Sequence, residues 1–169
     1  MSYKLREISR KDMVTINKWR NDENLIALLG APFRYIDIEI DEAWFDNYLN
    51  NRSKAVRCVI VDDKDMVIGL VSLTDIDNIN RSATFHIMIG DSSHQNKGAG
   101  QFAIKEMLNH AFNNLNLHRI QLEVLSSNDR AIHVYEKLGF VKEGTLRQVY
   151  FKNGKYVDAL VMGIINNSD

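Results

Sequence analysis

The sequence predicts an α/β (α+β) fold in one domain over residues 1–169, with a mixed, mostly antiparallel sheet and flanking helices. Two observations lead to this prediction. Strand-like segments in both halves of the chain are joined by short polar turns, as in antiparallel hairpins. Between them, residues 83–125 contain a strand, a helix and a second strand, and strands joined by such a crossover must be parallel.

The first fifty residues favour a short strand followed by two helices. The strand is expected at residues 3–8, and Ser9 and Asp12 form a capping-box pattern where the first helix begins. The inward residues of that helix would be Met13, Ile16 and Trp19. A second helix is predicted at residues 41–50. Its apolar stripe would consist of Trp44, Phe45, Tyr48 and Leu49.

The middle of the chain favours three strands and a helix. The strands are predicted at residues 56–62, 66–74 and 83–90, and the polar run 63–65 indicates a hairpin between the first two. The helix is predicted at residues 98–114, because its apolar residues recur at helical spacing. Its inward face would carry Ile104, Leu108, Ala111, Phe112 and Leu115.

The last fifty residues favour a strand at residues 120–125, a helix at residues 129–138 and a terminal hairpin. Gly139 suits the left-handed conformation that ends many helices. Residues 141–165 are predicted to form two strands joined at the Asn-Gly pair 153–154, which is a strong hairpin signal.

Composition excludes several classes of protein. A chain with 45% hydrophobic and 25% charged residues is not disordered, and a net charge of −1 gives no basis for binding nucleic acid or an anionic membrane. No apolar run approaches membrane-spanning length, and the N-terminus lacks the apolar core of a secretion signal. The single cysteine, Cys58, lies in an apolar run, which suits a core residue in a reducing compartment. We therefore expect a cytoplasmic protein.

A loop with two glycines precedes the helix predicted at residues 98–114. Its residues are Gln95, Asn96, Lys97, Gly98, Ala99 and Gly100. Because the two glycines lack Cβ atoms, an anion can approach the main-chain N–H groups, and a helix N-terminus favours negative charge. Lys97 can add positive charge and Gln95 a hydrogen bond, so the loop suits a pyrophosphate. A Gly-x-Gly of this kind also occurs at helix starts that bind nothing.

Two nucleotide-binding motifs are disfavoured for this loop. It is no Walker A motif, because no Gly-Lys-Ser/Thr follows. Gly98, Gly100 and Ala103 do match Gly-x-Gly-x-x-Ala, with Glu123 near the position of a ribose-binding acid. That fingerprint belongs to the first unit of a mostly parallel sheet, whereas hairpin-forming strands precede the loop here.

A second motif lies at residues 128–140, about 28 residues after the loop. It reads Asn-x-x-Ala-x-x-x-Tyr-x-Lys-x-Gly-Phe and by itself describes a capped amphipathic helix. Together with the loop, it resembles the core of the GCN5-related N-acetyltransferases, and the resemblance covers residues 33–164. It implies acetyl-CoA as the acetyl donor, no metal ion, and a homodimer or larger homo-oligomer.

The resemblance also implies where acetyl-CoA would bind. Two central strands of the family's sheet splay apart, and the matching strands here are residues 83–90 and 120–125. Main-chain groups of Ile87, Met88 and Ile89 would pair with the pantetheine arm, and the loop from Gln95 to Gly100 would hold the pyrophosphate. Asn128 would bond the donor near its pantetheine end, and Tyr135 would lie beside the thioester sulfur.

The chemistry implied is direct attack by a primary amine on the thioester. A main-chain N–H near Met88 or Ile89 would stabilise the oxyanion. Tyr135, with a free pKa of roughly 10, would give a proton to the departing sulfur. No covalent acyl-enzyme is needed, so Cys58 is not expected to be a nucleophile.

The general base stays open. Many relatives carry a glutamate where this chain has Thr84, and the chain departs from them there. His86 lies on the same strand face and titrates near neutrality, although a packed strand histidine is an equally good interpretation. A water relay to a distant carboxylate such as Asp158 is a further alternative.

The favoured acceptor is a polyamine such as spermidine. Three segments resemble bacterial spermidine/spermine N-acetyltransferases: residues 69–76, 111–117 and 141–156. Residues 19–23 and 41–45 instead resemble enzymes that acetylate an amino sugar on a nucleotide carrier, and Glu143-Gly144 is shared with ribosomal-protein N-terminal acetyltransferases.

Four acids precede or begin the second helix: Asp37, Glu39, Asp41 and Glu42. They can attract a polycation or simply form a solvated helix start. A non-catalytic acetyl-CoA-binding module is a different class of function, and Tyr135 argues against it because such a module needs no phenol beside the sulfur.

Overall fold

The computed structural model describes residues 1–168, and its helices and strands follow the predicted order apart from one additional short helix. The helices are α1 Met13–Arg20, α2 Glu23–Ile26, α3 Ile38–Asn50, α4 Ala99–Asn109 and α5 Asp129–Lys137. The strands are β1 Lys4–Glu7, β2 Val56–Val61, β3 Val67–Asp77, β4 Ser82–Ile89, β5 Arg119–Leu125, β6 Val141–Lys152 and β7 Lys155–Ile165.

All seven strands form one mixed sheet in the order β1-β2-β3-β4-β5-β7-β6. Neighbouring strands are antiparallel except β4 and β5, which are parallel. That pair is joined at three positions, from Ser82 with Arg119 to Thr84 with Gln121, and the two strands then separate. The predicted fold class, including the splayed central pair, is confirmed.

Two apolar clusters cover the two faces of the sheet. The larger cluster lies under α4 and α5, and its most deeply buried members include Ile60, Ile68, Leu73, Met107, Leu117, Ile120, Leu122 and Met162. The smaller cluster lies under α1 and α3 and consists of Ile8, Met13, Ile16, Phe45, Tyr48, Val59 and Val61. The helices α4 and α5 therefore cover β4 and β5 on one face, whereas α1 and α3 pack over β2 and β3 on the other.

The predicted helix boundaries were wrong at three places. Residues 23–26 form the additional short helix α2, which Asp22 caps by accepting from the N–H groups of Asn24 and Leu25. Asp37 caps α3, so that helix begins three residues earlier than predicted. At its far end α4 gives way to a π turn at His110–Asn114, within which the Asn114 side-chain amide lies 2.9 Å from His110 Nδ1.

Two side chains of α3 were assigned to the wrong environment. Leu49 is 46% exposed, because the buried face of α3 is set by Asp41, Phe45 and Tyr48. Asp41 is not part of a solvated helix start, since its carboxylate is fully buried. It accepts hydrogen bonds from Arg20 and from Asn17, the latter at 2.8 Å, and this pairing compensates its burial.

The predicted capping box at Ser9 is present and is part of a buried ion pair. The Asp12 carboxylate accepts from the Ser9 N–H at 2.8 Å and from both terminal nitrogens of Arg6 at 2.8 Å. Burial tends to raise the pKa of Asp12, but these hydrogen bonds outweigh it and hold the pKa below its ordinary value of 3.8.

We expect Asp12→Asn to lower the free energy of unfolding by about 2 kcal/mol at pH 7, because hydrogen bonds to a charged group are lost. A depressed folded-state pKa gives stability above the unfolded-state value and loses it as pH falls further. The difference between the two proteins should therefore shrink below about pH 4. Urea unfolding at pH 7 and pH 3 measures both, and an equal difference at the two pH values would contradict this account.

Gly90, directly after β4, lies against the indole ring of Trp19. A Cβ atom at this position would overlap that ring. We expect Gly90→Ala to lower the free energy of unfolding by about 1–3 kcal/mol, as overpacking does. Gly144→Ala is the matched control, because a Cβ atom at Gly144 meets nothing within 4 Å. Equal stability of the two variants in urea would show that Trp19 moves aside freely.

Within residues 1–168, no helix has the length and apolar character needed to cross a membrane.

Candidate active site

The opening between β4 and β5 leaves part of the β4 edge without a partner strand. The N–H of Gly90 donates to the Ile68 carbonyl, on the β3 side, at 3.0 Å. Because main-chain groups of consecutive residues point to opposite edges of a strand, those of Met88 also face β3 and those of Ile87 and Ile89 face the opening. Of the three residues predicted to pair with pantetheine, two therefore present their main-chain groups at the open edge.

The glycine loop begins beside this edge. The Gln95 side-chain amide donates to the Ile89 carbonyl at 3.3 Å. Asn96 and Gly98 have φ values of +63° and +85°, so the chain turns sharply before α4. Cβ atoms at Gly98 or Gly100 would meet nothing within 4 Å, which leaves open space in front of the loop.

The first turn of α4 presents free N–H groups to that space. The first helical hydrogen bond runs from the Phe102 N–H to the Gly98 carbonyl at 2.9 Å, so the N–H groups of residues 99–101 have no partner within the helix. Lys97 is exposed, and its carbonyl accepts from the Tyr3 hydroxyl at 3.3 Å. The predicted pyrophosphate loop is thus an exposed helix N-terminus fastened to the N-terminal segment.

A nearly buried histidine secures the start of the loop. His94 lies between two carboxylates, with its Nε2 3.4 Å from Asp62 and its Nδ1 3.3 Å from Asp91. Ser93 is also within hydrogen-bonding distance of His94 at 3.0 Å. These contacts of His94 fix the position of the start of the glycine loop.

Asn128 and Tyr135 lie on α5, as the second motif predicts. Asn128 caps the helix, with its Oδ1 accepting from the Ala131 N–H at 3.2 Å. The Tyr135 ring packs edge-on against Phe85, with ring centroids 6.4 Å apart, and against Phe140 at 5.6 Å. Phe85 is the first residue of β4 beyond its last pairing with β5, so Tyr135 lies where the opening begins.

Burial raises the pKa of Tyr135 to about 12. Its hydroxyl therefore holds its proton throughout the neutral range, which is the form required of a general acid. Among the side chains and main-chain groups of residues 1–168, none forms a hydrogen bond with this hydroxyl. The group remains available to a ligand.

The other face of β4 carries Thr84 and His86. His86 Nε2 is 2.9 Å from the Thr74 hydroxyl. Desolvation and the nearby charge of Arg57 lower the pKa of His86, and the charges of Asp75 and Glu123 oppose them only in part. The imidazole is therefore neutral at pH 7, as a proton acceptor must be.

Two other candidates are engaged in a structural hydrogen bond or are unreactive. Asp158 is on β7, where its carboxylate accepts from the Gln148 N–H at 2.7 Å and so stabilises a bulge in β6. Burial raises the pKa of the Cys58 thiol to about 11, which makes it a poor nucleophile.

Sequence reasoning gave no role in an acetyltransferase site to two polar groups, one on β5 and one directly after it. The Ser126 hydroxyl, just after β5, is buried without a hydrogen-bond partner in the described part of the chain. Glu123 accepts a hydrogen bond from the Tyr150 hydroxyl of β6. No local signal pairs residues 123 and 150, although the alternation of apolar and polar residues along β5 does place Glu123 on the face away from α4 and α5.

These features fit acetyl-CoA. An unpaired strand edge can accept an amide-containing arm, free N–H groups at open glycines can accept a pyrophosphate, and an unpartnered buried hydroxyl can satisfy a further polar group. Both motifs also converge on one strand, because Gln95 contacts Ile89 and Tyr135 contacts Phe85. In residues 1–168, His, Cys, Asp and Glu side chains form no cluster of three suited to a metal ion.

Comparisons with known proteins place this geometry in a family. The model of the acetyltransferase (GNAT) domain matches residues 3–141. The spermidine N(1)-acetyltransferase of Vibrio cholerae is 37% identical over 96% of this chain and 92% of its own length. A crystal structure of a spermidine N-acetyltransferase from V. cholerae in complex with CoA and spermine superposes with a TM-score of 0.91 at 35% identity, covering 96% of this chain and 95% of that one.

A second structure of the V. cholerae enzyme, a dodecamer in an intermediate state, has a TM-score of 0.84 at 33% identity and covers 96% of this chain and 93% of that one. The match of the family model and the similarity of sequence and structure over nearly the whole chain agree with the two motifs. The chain belongs to the GNAT family and is an acetyl-CoA-dependent N-acetyltransferase.

Proposed function

We propose that the protein transfers the acetyl group of acetyl-CoA to a primary amine of a polyamine such as spermidine. The observation that carries this choice is the extent of the V. cholerae match, which includes the N-terminal half as well as the two motifs. The α1–α3 half packs over β2 and β3 on the face of the sheet that carries His86 and Glu123, and Trp19 reaches Gly90 at the end of β4. In this fold we expect that half to shape the acceptor side. The similarity of this half to a spermidine acetyltransferase is therefore the strongest support for a polyamine acceptor.

The residues of this chain have separate tasks in the proposal. Main-chain groups of Ile87 and Ile89 orient the pantetheine arm, and the loop from Gln95 to Gly100 holds the diphosphate. The Asn128 side-chain amide, whose oxygen caps α5, offers its N–H groups to the same arm. Acetyl-CoA supplies an activated thioester, and an N–H at the open β4 edge polarises its carbonyl.

Tyr135 is the proposed general acid. Its hydroxyl carries a proton at neutral pH and gives it to the sulfur that leaves. His86 is the proposed acceptor of the amine proton, directly or through water, because its imidazole is neutral and faces the side opposite the apolar core under α5. Thr84 cannot take this part, since its hydroxyl does not ionise in the neutral range.

The molecular context completes the proposal. We propose one acetyltransferase domain over residues 1–169, with the β6–β7 hairpin as part of it, and a homo-oligomer in the cytoplasm. The dodecameric V. cholerae relative supports the oligomer, and a lone cysteine with an unreactive thiol suits a reducing compartment.

One observation favours a second acceptor class, an amine on an anionic carrier such as a nucleotide. A recess of about 160 Å³ beside Thr74 is lined in part by Lys54 and Arg57. The Nε of Arg57 is buried without a hydrogen-bond partner in the described residues, and its guanidinium lies 4.7 Å from the centroid of the Trp44 ring. A cation held in this way can bind a phosphate or carboxylate.

A thiol-release assay distinguishes these functions. The protein is supplied with acetyl-CoA and, separately, with spermidine, spermine, an amino-sugar nucleotide and a short peptide with a free N-terminus. We expect the highest kcat/KM with a polyamine and an acetylated polyamine in the mass spectrum. If only the amino-sugar nucleotide is acetylated, the acceptor is that nucleotide and not a polyamine. Binding of acetyl-CoA without acetylation of any amine would indicate a non-catalytic module.

A further inference from the structure

Glu123 lies on β5 at the mouth of the opening. Alternate residues of this strand, Ile120, Leu122 and Val124, are buried under α4 and α5. Gln121 and Glu123 are exposed on the opposite face. Glu123 is thus on the same side of the sheet as Thr84 and His86, the side on which the acceptor is expected.

The register of β4 and β5 places Glu123 across the opening from His86. The last paired residues are Thr84 and Gln121. Two residues further along each strand come His86 and Glu123, which would be neighbours if pairing continued. The strands have separated there, so the imidazole and the carboxylate flank the gap. The two groups also interact electrostatically, because the negative charge of Glu123 tends to raise the pKa of His86.

The Glu123 carboxylate is held in place but its charge is not compensated. The Tyr150 hydroxyl donates to its Oε2. Tyr150 is itself packed closely, since a Cβ atom at Gly30 would be 3.1 Å from its ring. Within residues 1–168, no Lys, Arg or His forms an ion pair with Glu123, and its second oxygen, Oε1, accepts no hydrogen bond.

No other acid is available on the facing strand. Residues Ser82–Ile89 of β4 include neither Asp nor Glu. A carboxylate at this opening is therefore supplied by β5 instead of β4. His86 does not compete for it as a cation, because its imidazole is neutral at pH 7.

We propose that Glu123 binds the ammonium group of the acceptor amine at the mouth of the opening, with Tyr150 as its positioning residue. This assignment rests on the proposed function, because it requires a cationic amine as acceptor. A charge-assisted hydrogen bond from an ammonium group to a fixed carboxylate is among the stronger polar contacts in proteins. It would hold the amine between His86 and the strand edge before the proton is removed.

The test is Glu123→Gln, which keeps the shape and the bond from Tyr150 but removes the charge. We expect the KM for spermidine to rise about tenfold to a hundredfold, in line with the loss of a charged hydrogen bond, while the KM for acetyl-CoA changes less than about twofold. Tyr150→Phe retains the carboxylate but loosens it, so the rise should be smaller. Glu106→Gln, on the exposed side of α4, is the matched control and should behave as wild type.

The outcomes separate the two proposals. A wild-type enzyme that acetylates spermidine, with an unchanged spermidine KM in Glu123→Gln, would overturn the assignment of Glu123 alone. A parallel rise in the KM values for both substrates would show a structural role and overturn it as well. A wild-type enzyme that is inactive with every amine would overturn the proposed function, and the assignment of Glu123 would fall with it.

Discussion

Replacing Tyr135 with Phe should lower kcat about 10²- to 10³-fold, because the proton donor to the departing sulfur is lost. Donor affinity should change little, since the main-chain groups and the glycine loop that hold acetyl-CoA are intact. The Tyr135 hydroxyl has no hydrogen-bond partner among residues 1–168, so its removal leaves no buried group unsatisfied. The variant should therefore fold with nearly wild-type stability, and the loss will be chemical.

Three measurements on Tyr135→Phe check this expectation: kcat from thiol release, CoA affinity by calorimetry, and the urea midpoint. Tyr35→Phe is the matched control, because Tyr35 is 90% exposed and outside the proposed site. A kcat within threefold of wild type would contradict the role of Tyr135 and remove the main argument against a non-catalytic module. A lost urea transition would instead assign the tyrosine to packing with Phe85 and Phe140.

Replacing Asp41 with Ala should lower the free energy of unfolding by about 3 kcal/mol or more, the range for one partner of a buried ion pair. The carboxylate is fully buried and joins α3 to Arg20 and Asn17 of α1. Without it, both donors lose their acceptor. Arg20 is one-third exposed and regains some water, which places the expected loss at the lower end of that range.

Urea unfolding of Asp41→Ala and Glu39→Ala provides the comparison. Glu39 is an exposed acid of the same helix turn, so its removal should change stability by less than about 0.5 kcal/mol. A double-mutant cycle with Arg20→Ala isolates the pair, and its coupling energy should be about 0.5–3 kcal/mol. A loss below 1 kcal/mol in Asp41→Ala would show that water reaches the site and that Asp41 belongs to an accessible acidic surface after all.

Local sequence patterns predicted the parts of the fold that depend on near neighbours. The hairpin at residues 153–154, the left-handed Gly139, and the capping residues Ser9 and Asn128 each require only a few adjacent residues. The two family motifs are equally local, and they were sufficient to predict the acetyltransferase fold and acetyl-CoA as the donor.

Features that depend on distant partners could not be predicted in this way. Asp41 looked like a solvated acid because its partner, Arg20, is on another helix. Glu123 looked like a possible ribose ligand, and its contact with Tyr150 follows only from the position of β6 beyond β7 at the edge of the sheet. The separate environments of Ile87, Met88 and Ile89 likewise depend on which strand edge remains open.

The central claim is that the gap between β4 and β5 receives the donor thioester while the loop before α4 binds its diphosphate. A crystal structure of this protein with CoA tests it most directly. We expect the diphosphate on the N–H groups of residues 96–100, the pantetheine arm along Ile87 and Ile89, and the sulfur next to Tyr135 Oη. A structure in which β4 and β5 are hydrogen-bonded to their ends, with the nucleotide bound elsewhere, would contradict the account.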